Sequence, residues 1–128
     1  MHLSIQIELK KLHHSFSSIE KHFKELDPKL LYKIMLITEE ILTNLARHAN
    51  FQEKEPHVTL KIETSPLTQL IFQDNSKKFN ILNYPTPNIE EELEKRGLGG
   101  LGIFLTKKYA QDIEYIYENG YNILKVLL

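Results

Sequence analysis

Residues 28–49 read PKLLYKIMLITEEILTNLARHA, and this stretch decides which fold class we expect. It has no glycine and no proline after its first residue. Asp27 before it is typical of a helix N-cap followed by proline at the first helical position. The sequence therefore predicts one long helix over residues 28–49. The apolar positions of this helix form a band wide enough for a buried central helix, and they include Leu30, Leu31, Ile34, Met35, Ile37, Ile41, Leu42, Leu45 and Ala49.

The segments on both sides of this helix alternate apolar and polar residues, which is typical of strands with one buried face. Asn119-Gly120 separates the last two of them and predicts a tight type I′ hairpin turn. Strands joined by short turns, with helices on one face, predict an α+β fold. We expect a two-layer α/β sandwich with a mixed, mostly antiparallel sheet, in a single domain over residues 1–128. The predicted strands are residues 3–9, 57–64, 67–72, 112–117 and 121–128, and the other predicted helices are residues 15–26 and 101–110.

Composition removes several classes of function. The 16 basic and 17 acidic residues nearly cancel, so we expect neither direct nucleic-acid contact nor attraction to an anionic membrane. The absence of cysteine excludes disulfides and thiolate metal sites. No apolar run approaches the ~18 residues of a membrane span, and the N-terminus does not resemble a signal peptide. We expect a cytoplasmic protein.

Three polar residues share one face of the predicted long helix. Glu40, Asn44 and His48 are spaced by four residues, and asparagine is a mediocre helix former. The spacing fits a solvated polar edge as well as it fits a binding site. Asp74 closes a predicted strand, where turn chemistry is the more common reason for aspartate.

The glycines at residues 97–102, GLGGLG, match the pattern G-x-G-x-x-G. A dinucleotide site would need an apolar strand before them, whereas residues 90–96 read EEELEKR. What remains is that glycines let a backbone approach a phosphate at the start of a helix, whose N-terminus offers free N–H groups. The alternative is a flexible loop that precedes a helix.

The order of these features along the chain resembles the GHKL (Bergerat-fold) superfamily, which includes gyrase-type and histidine-kinase ATPase domains. Residues 38–49, TEEILTNLARHA, look like its N-box. Residues 73–80, QDNSKKFN, look like its first glycine box, and residues 99–105, GGLGIFL, look like its second. The combination with Phe79-Asn80 is similar to the bacterial anti-sigma-factor serine kinase branch.

The resemblance implies a role for each matching residue, with ATP and Mg²⁺ as cofactors. Glu40 corresponds to a general base, which takes the proton of an attacking hydroxyl. Asn44 corresponds to a Mg²⁺ ligand through its amide oxygen. Asp74 corresponds to the acceptor of the adenine amino group. The other positions that the resemblance assigns to ATP binding are His48, Phe79, Gly99, Gly100, Leu101 and Gly102.

The resemblance further implies an ATP-dependent serine/threonine protein kinase. Such a kinase would phosphorylate an anti-sigma-factor antagonist, sequester a sigma factor, or do both (partner switching). The expected partner is thus a regulatory protein, a sigma factor or its antagonist, and the helix at residues 15–26 is the candidate face for it or for a homodimer.

Two alternatives stay open. Ser76 and Lys78 stand where the first glycine box has glycine and proline, and residues 121–128 lack the threonine that the superfamily often places near adenine. A Cβ at position 76 would crowd the nucleotide if the backbone needed a positive φ. These departures favour a catalytically degenerate interaction module with weak or no ATP binding. A detached histidine-kinase catalytic domain is the lowest-ranked interpretation.

Overall fold

The computed structural model of the chain describes residues 1–83 and 106–128. The strands are β1 (His2–Ile7), β2 (Val58–Glu63), β3 (Gln69–Asp74), β4 (Asp112–Glu118) and β5 (Tyr121–Leu127). They form one sheet in the order β1-β2-β3-β5-β4, and all four described pairings are antiparallel. The predicted α+β class is confirmed.

Two long helices precede the β2–β3 hairpin. The prediction for residues 28–49 is confirmed to within one residue, because helix α2 spans Pro28–His48. The Asp27 side chain accepts a hydrogen bond from the Leu30 N–H at 3.2 Å, as expected of an N-cap. Helix α1 spans Leu12–His22 and so begins and ends earlier than predicted. Short 3₁₀ turns occur at Leu9–Lys11 and Ile81–Asn83, and residues 106–109 are helical.

The two helices pack on one face of the sheet and share a core with it. Alternate residues of the central strands point into this core, as the period of a strand requires. Register aligns these residues across the sheet, since Leu70 lies opposite Ile62 in β2 and Val126 in β5. The core residues without exposed surface are Ile19, Phe23, Ile34, Ile37, Leu42, Leu60, Ile62, Leu70 and Val126.

The β3 strand lies two residues later than predicted from residues 67–72. Leu67 is 60 % exposed and belongs to the turn between β2 and β3, so its apolar character does not reflect burial. Because of the shift, Asp74 is the last paired residue of β3, opposite Val58 in β2 and Asn122 in β5. Asp74 is therefore held in the sheet rather than in the turn that follows.

The predicted hairpin between β4 and β5 is confirmed. Asn119 and Gly120 have φ values of 54° and 83°, the two positive values that a type I′ turn requires. The predicted helix start and the glycines at residues 97–102 lie outside the described residues. In the part of the chain that the structure describes, no helix combines the length and apolar character needed to span a bilayer.

Candidate functional site

A cavity of about 480 Å³ opens between the C-terminal half of α2 and the ends of β3 and β5. Its size is in the range of small-molecule sites, which are mostly apolar with a few placed polar groups. Ile41, Phe72 and Leu124 contribute apolar wall. The polar and charged lining residues are Asn44, His48, Asn50, Asp74, Ser76, Lys77, Lys78, Tyr115 and Asn122.

Four of the residues singled out from the sequence line this one cavity: Asn44, His48, Asp74 and Phe79. Two of them come from α2, one ends β3 and one follows β3, so the fold brings together residues that are distant in the sequence. Glu40 is not among the lining residues. The remaining predicted positions, Gly99, Gly100, Leu101 and Gly102, lie outside the described residues.

Asp74 presents its two carboxylate oxygens differently. The residue is only 6 % exposed. Its Oδ1 accepts hydrogen bonds from the Ser76 N–H at 3.0 Å, from the Ser76 hydroxyl, and from Asn122 Nδ2 at 3.1 Å. No described residue donates to Oδ2, and this oxygen is not among the fully buried unpartnered atoms. Asp74 lines the cavity, and its carboxylate, held through Oδ1, keeps a second oxygen to which no described residue donates.

Ser76 does not have the backbone conformation that would make its Cβ a problem. The only described non-glycine residues with positive φ are Gln52, Glu53 and Asn119. Ser76 therefore has no positive φ, and the predicted crowding of a nucleotide by its Cβ, which required one, does not follow. Ser76 is 3 % exposed, and its hydroxyl is occupied by Asp74.

The wall segment at residues 76–79 lines one side of the cavity, and together with the preceding Asn75 it is tied to the loop after α2. The Lys77 N–H donates to the Asn50 carbonyl at 2.7 Å. Asn75 Oδ1 accepts from the His57 N–H at 2.7 Å, and Asn75 Nδ2 donates to the Glu55 carbonyl at 3.0 Å. These bonds fix the wall on the side away from β5.

Asn122 holds the same wall from β5, and sequence reasoning missed it. It is 6 % exposed and lines the cavity. The alternating pattern of β5 could have indicated it. Asn122 occupies an inward position that is followed by Leu124 and Val126, and all three residues are buried. A buried amide at such a position needs partners, which Asp74 and the wall segment supply.

The Asn44 amide makes no hydrogen bond with any described residue. Its Nδ2 is buried without a partner, whereas Oδ1 is not among the fully buried unpartnered atoms. No group of three or more His, Cys, Asp or Glu side chains in residues 1–83 and 106–128 could hold a metal. Mg²⁺ takes oxygen ligands and usually keeps several waters beside one or two carboxylates and the substrate phosphates. Asn44 Oδ1 could contribute one such oxygen to a Mg²⁺ that arrives with a phosphate ligand.

Glu40 lies one helical turn before Asn44 and is partly buried. Burial raises the pKa of its carboxyl above the ordinary value of 4.5, and repulsion by Glu39 raises it further, while the Arg47 charge lowers it. A raised pKa makes the Glu40 carboxylate a stronger proton acceptor than an ordinary glutamate.

Comparison with known proteins assigns this architecture to a family. The family model described as "Histidine kinase-like ATPase domain" matches residues 5–127. No curated protein matches the chain significantly. Among solved structures, the histidine kinase domain from Erythrobacter litoralis EL346 blue-light activated histidine kinase is similar, with a TM-score of 0.54 and 14 % sequence identity. The similarity covers 94 % of this chain and 59 % of that one, and at this identity it is a likeness of fold alone.

Proposed function

We propose, from the premise that this chain belongs to the histidine kinase-like ATPase domain family, that its cavity binds ATP with Mg²⁺. The family implies ATP binding, usually with Mg²⁺. The observation that supports the placement is that one cavity is lined by both Asp74, whose Oδ2 has no donor among the described residues, and Asn44, whose amide has no partner among them.

In the proposed arrangement the adenine amino group donates to Asp74 Oδ2. Guanine has a carbonyl at that place, and a buried carboxylate facing a carbonyl leaves both acceptors unpaired, which costs about 1–3 kcal/mol. The phosphates extend toward α2, where Asn44 and His48 line the cavity. Mg²⁺ bound with the phosphates would neutralise part of their charge.

The finer proposal is transfer of the γ-phosphoryl group to a serine or threonine of a protein partner. In that reaction Glu40 takes the proton of the attacking hydroxyl. The new bond joins the hydroxyl oxygen to the γ-phosphorus, the bond from that phosphorus to the bridging oxygen breaks, and ADP leaves. The raised pKa and the position of Glu40 one turn from Asn44 support this role. The proposed partner is an anti-sigma-factor antagonist in a partner-switching system. The second activity that we propose for this chain is sequestration of a sigma factor.

Calorimetry with Mg·ATP tests the nucleotide site. We expect the native chain to bind with submillimolar affinity and Asp74→Asn to bind about 10- to 100-fold more weakly, because the new amide faces the adenine amino group with a donor. Asp112→Asn is the matched control, since Asp112 is an exposed aspartate at the start of the edge strand β4. Equal affinities for the native chain and Asp74→Asn would refute the placement of adenine.

Labelled ATP together with a candidate antagonist tests the kinase proposal. We expect transfer by the native chain and by Glu39→Gln, and no transfer by Glu40→Gln. Glu39 is exposed and adjacent in sequence, so it controls for the loss of one negative charge from this turn of α2. No transfer by the native chain, or unchanged transfer by Glu40→Gln, would refute the kinase proposal.

A further inference from the structure

We infer that Asn122 is a positioning residue that sets the base specificity of the cavity, by fixing the Asp74 carboxylate and the wall segment at residues 76–79. The inference rests on the proposed nucleotide site and adds to it a residue that no part of the sequence resemblance assigns. Its support is the set of contacts that the Asn122 amide makes.

Asn122 is placed by the sheet itself. In the β3–β5 ladder it lies directly opposite Asp74. On its other side it pairs with Tyr117 of β4, next to the Asn119-Gly120 turn. The residue is therefore held on both sides, which fixes its backbone beside Asp74 before any side-chain contact is counted.

The hydrogen-bond partners also decide which way the amide is oriented. Asn122 Oδ1 accepts from the Phe79 N–H at 2.9 Å and from the Tyr115 hydroxyl. Asn122 Nδ2 lies 3.1 Å from the Ser76 carbonyl oxygen and 3.2 Å from that of Lys77. A backbone N–H only donates and a carbonyl only accepts, so rotating the amide by 180° would oppose like groups on both sides.

With this orientation, Nδ2 donates to Asp74 Oδ1 and helps to hold Oδ2 toward the cavity. Ser76 supplies the other donors to Oδ1. If Asn122 is truncated, the carboxylate loses its one donor from β5. The two N–H groups that Nδ2 shares between Asp74 Oδ1, the Ser76 hydroxyl oxygen and the Ser76 and Lys77 carbonyls are then lost to all four acceptors. The carboxylate then rotates more freely, and a base with an amino group is distinguished less well from a base without one.

Asn75 provides a matched control for this argument. It is also an asparagine whose side chain ties the wall segment to a neighbouring element, through the His57 N–H and the Glu55 carbonyl. Its side chain forms no hydrogen bond with Asp74, and the residue does not line the cavity. A purely structural effect on the wall would appear in both asparagine variants, whereas a positioning effect on Asp74 appears only at Asn122.

The test compares ATP with purine riboside triphosphate, which has the same sugar and phosphates but no amino group, on the full chain by calorimetry. We expect the native chain and Asn75→Ala to prefer ATP about tenfold or more, as a hydrogen bond to a charged acceptor implies. In Asn122→Ala this ratio should fall to about 1–3. Tyr115→Phe, a milder variant that removes one donor to Asn122 Oδ1, should reduce the ratio by a smaller factor. An undiminished ratio in Asn122→Ala, or an equal loss in Asn75→Ala, overturns the inference.

A measurement without nucleotide separates this inference from the proposed function. The Phe79 N–H donates to Asn122 Oδ1, so hydrogen exchange of the Phe79 amide should accelerate in Asn122→Ala and not in Asn75→Ala. Thermal melting curves check that both variants are folded. If the native chain binds neither nucleotide, the proposed ATP site fails and specificity fails with it. Faster Phe79 exchange would then still support the positioning of the wall by Asn122, and unchanged exchange would refute it.

Discussion

The Ser76 hydroxyl and the Ser76 backbone N–H both donate to a single oxygen, Oδ1 of Asp74. A short side chain that accepts from the backbone two residues onward is a common way to shape a turn. The turn after β3 is thus built by Asp74 and Ser76 together, without a left-handed residue at position 76. The serine that departs from the glycine of the resembled motif has a structural role of its own.

The first prediction concerns this serine. Ser76→Ala should lower the free energy of unfolding by about 1.5–3 kcal/mol, because a buried hydrogen bond to a charged group is lost. Ser76→Gly should cost about 0.4–1 kcal/mol more, since glycine adds freedom to the unfolded chain. Urea denaturation of the three proteins measures both steps. A glycine variant more stable than the native chain would contradict the backbone conformation described for Ser76.

The second prediction concerns Asn44. Asn44→Ala should leave stability unchanged or slightly raised, because a buried unpartnered Nδ2 is removed and alanine is the better helix former by about 0.5 kcal/mol. The dependence of ATP affinity on Mg²⁺ should be lost. The ratio of dissociation constants with EDTA and with Mg²⁺ measures this, and Thr43→Ala on the same helix is the control. A ratio that survives in Asn44→Ala would mean that Mg²⁺ is not held at Asn44.

The third prediction is a pH dependence. The pKa of Glu40 is raised in the folded state, so the folded chain binds that proton more tightly than the unfolded chain. The resulting stabilisation is present below the ordinary value of 4.5 and is lost as the pH rises through the raised pKa. Glu40→Gln should therefore melt at a higher temperature than the native chain at pH 7, and the difference should vanish at acid pH.

The control for Glu40 is Glu25→Gln, an exposed glutamate beyond the end of α1. Its melting temperature should follow that of the native chain at every pH. If the advantage of Glu40→Gln were greatest in acid, the direction of the Glu40 pKa shift would be wrong.

The fourth prediction concerns the turn that places Asn122. A Cβ at Gly120 would meet no atom within 4 Å, so any cost of Gly120→Ala comes from its φ of +83°. A left-handed conformation costs a residue with a Cβ roughly 1–2 kcal/mol. Denaturant unfolding should show this loss, whereas Asn119→Gly should stay within about 0.5 kcal/mol of the native chain. Equal effects of the two substitutions would argue against a type I′ turn.

The sequence by itself determined the elements that depend on local rules. The cap at Asp27, the length of α2 and the turn at Asn119-Gly120 follow from preferences that act within a few residues. Helical periodicity also placed Asn44 and His48 on one face, and both line the cavity. The family resemblance, which depends on the order of motifs along the chain, predicted a nucleotide-binding role for Asp74.

Only the tertiary structure decided how these residues meet. Asn122 and Asp74 are 48 positions apart, and their pairing depends on the register of β3 against β5, which no local pattern encodes. The hydrogen bond of Ser76 to Asp74 likewise follows from the geometry of the turn after β3. Glu40 shares a helix face with Asn44, yet the packing of α2 leaves it outside the cavity lining. Local periodicity fixes which way a side chain points, but a site forms from distant segments, and their relative position is set by the packing of the whole core.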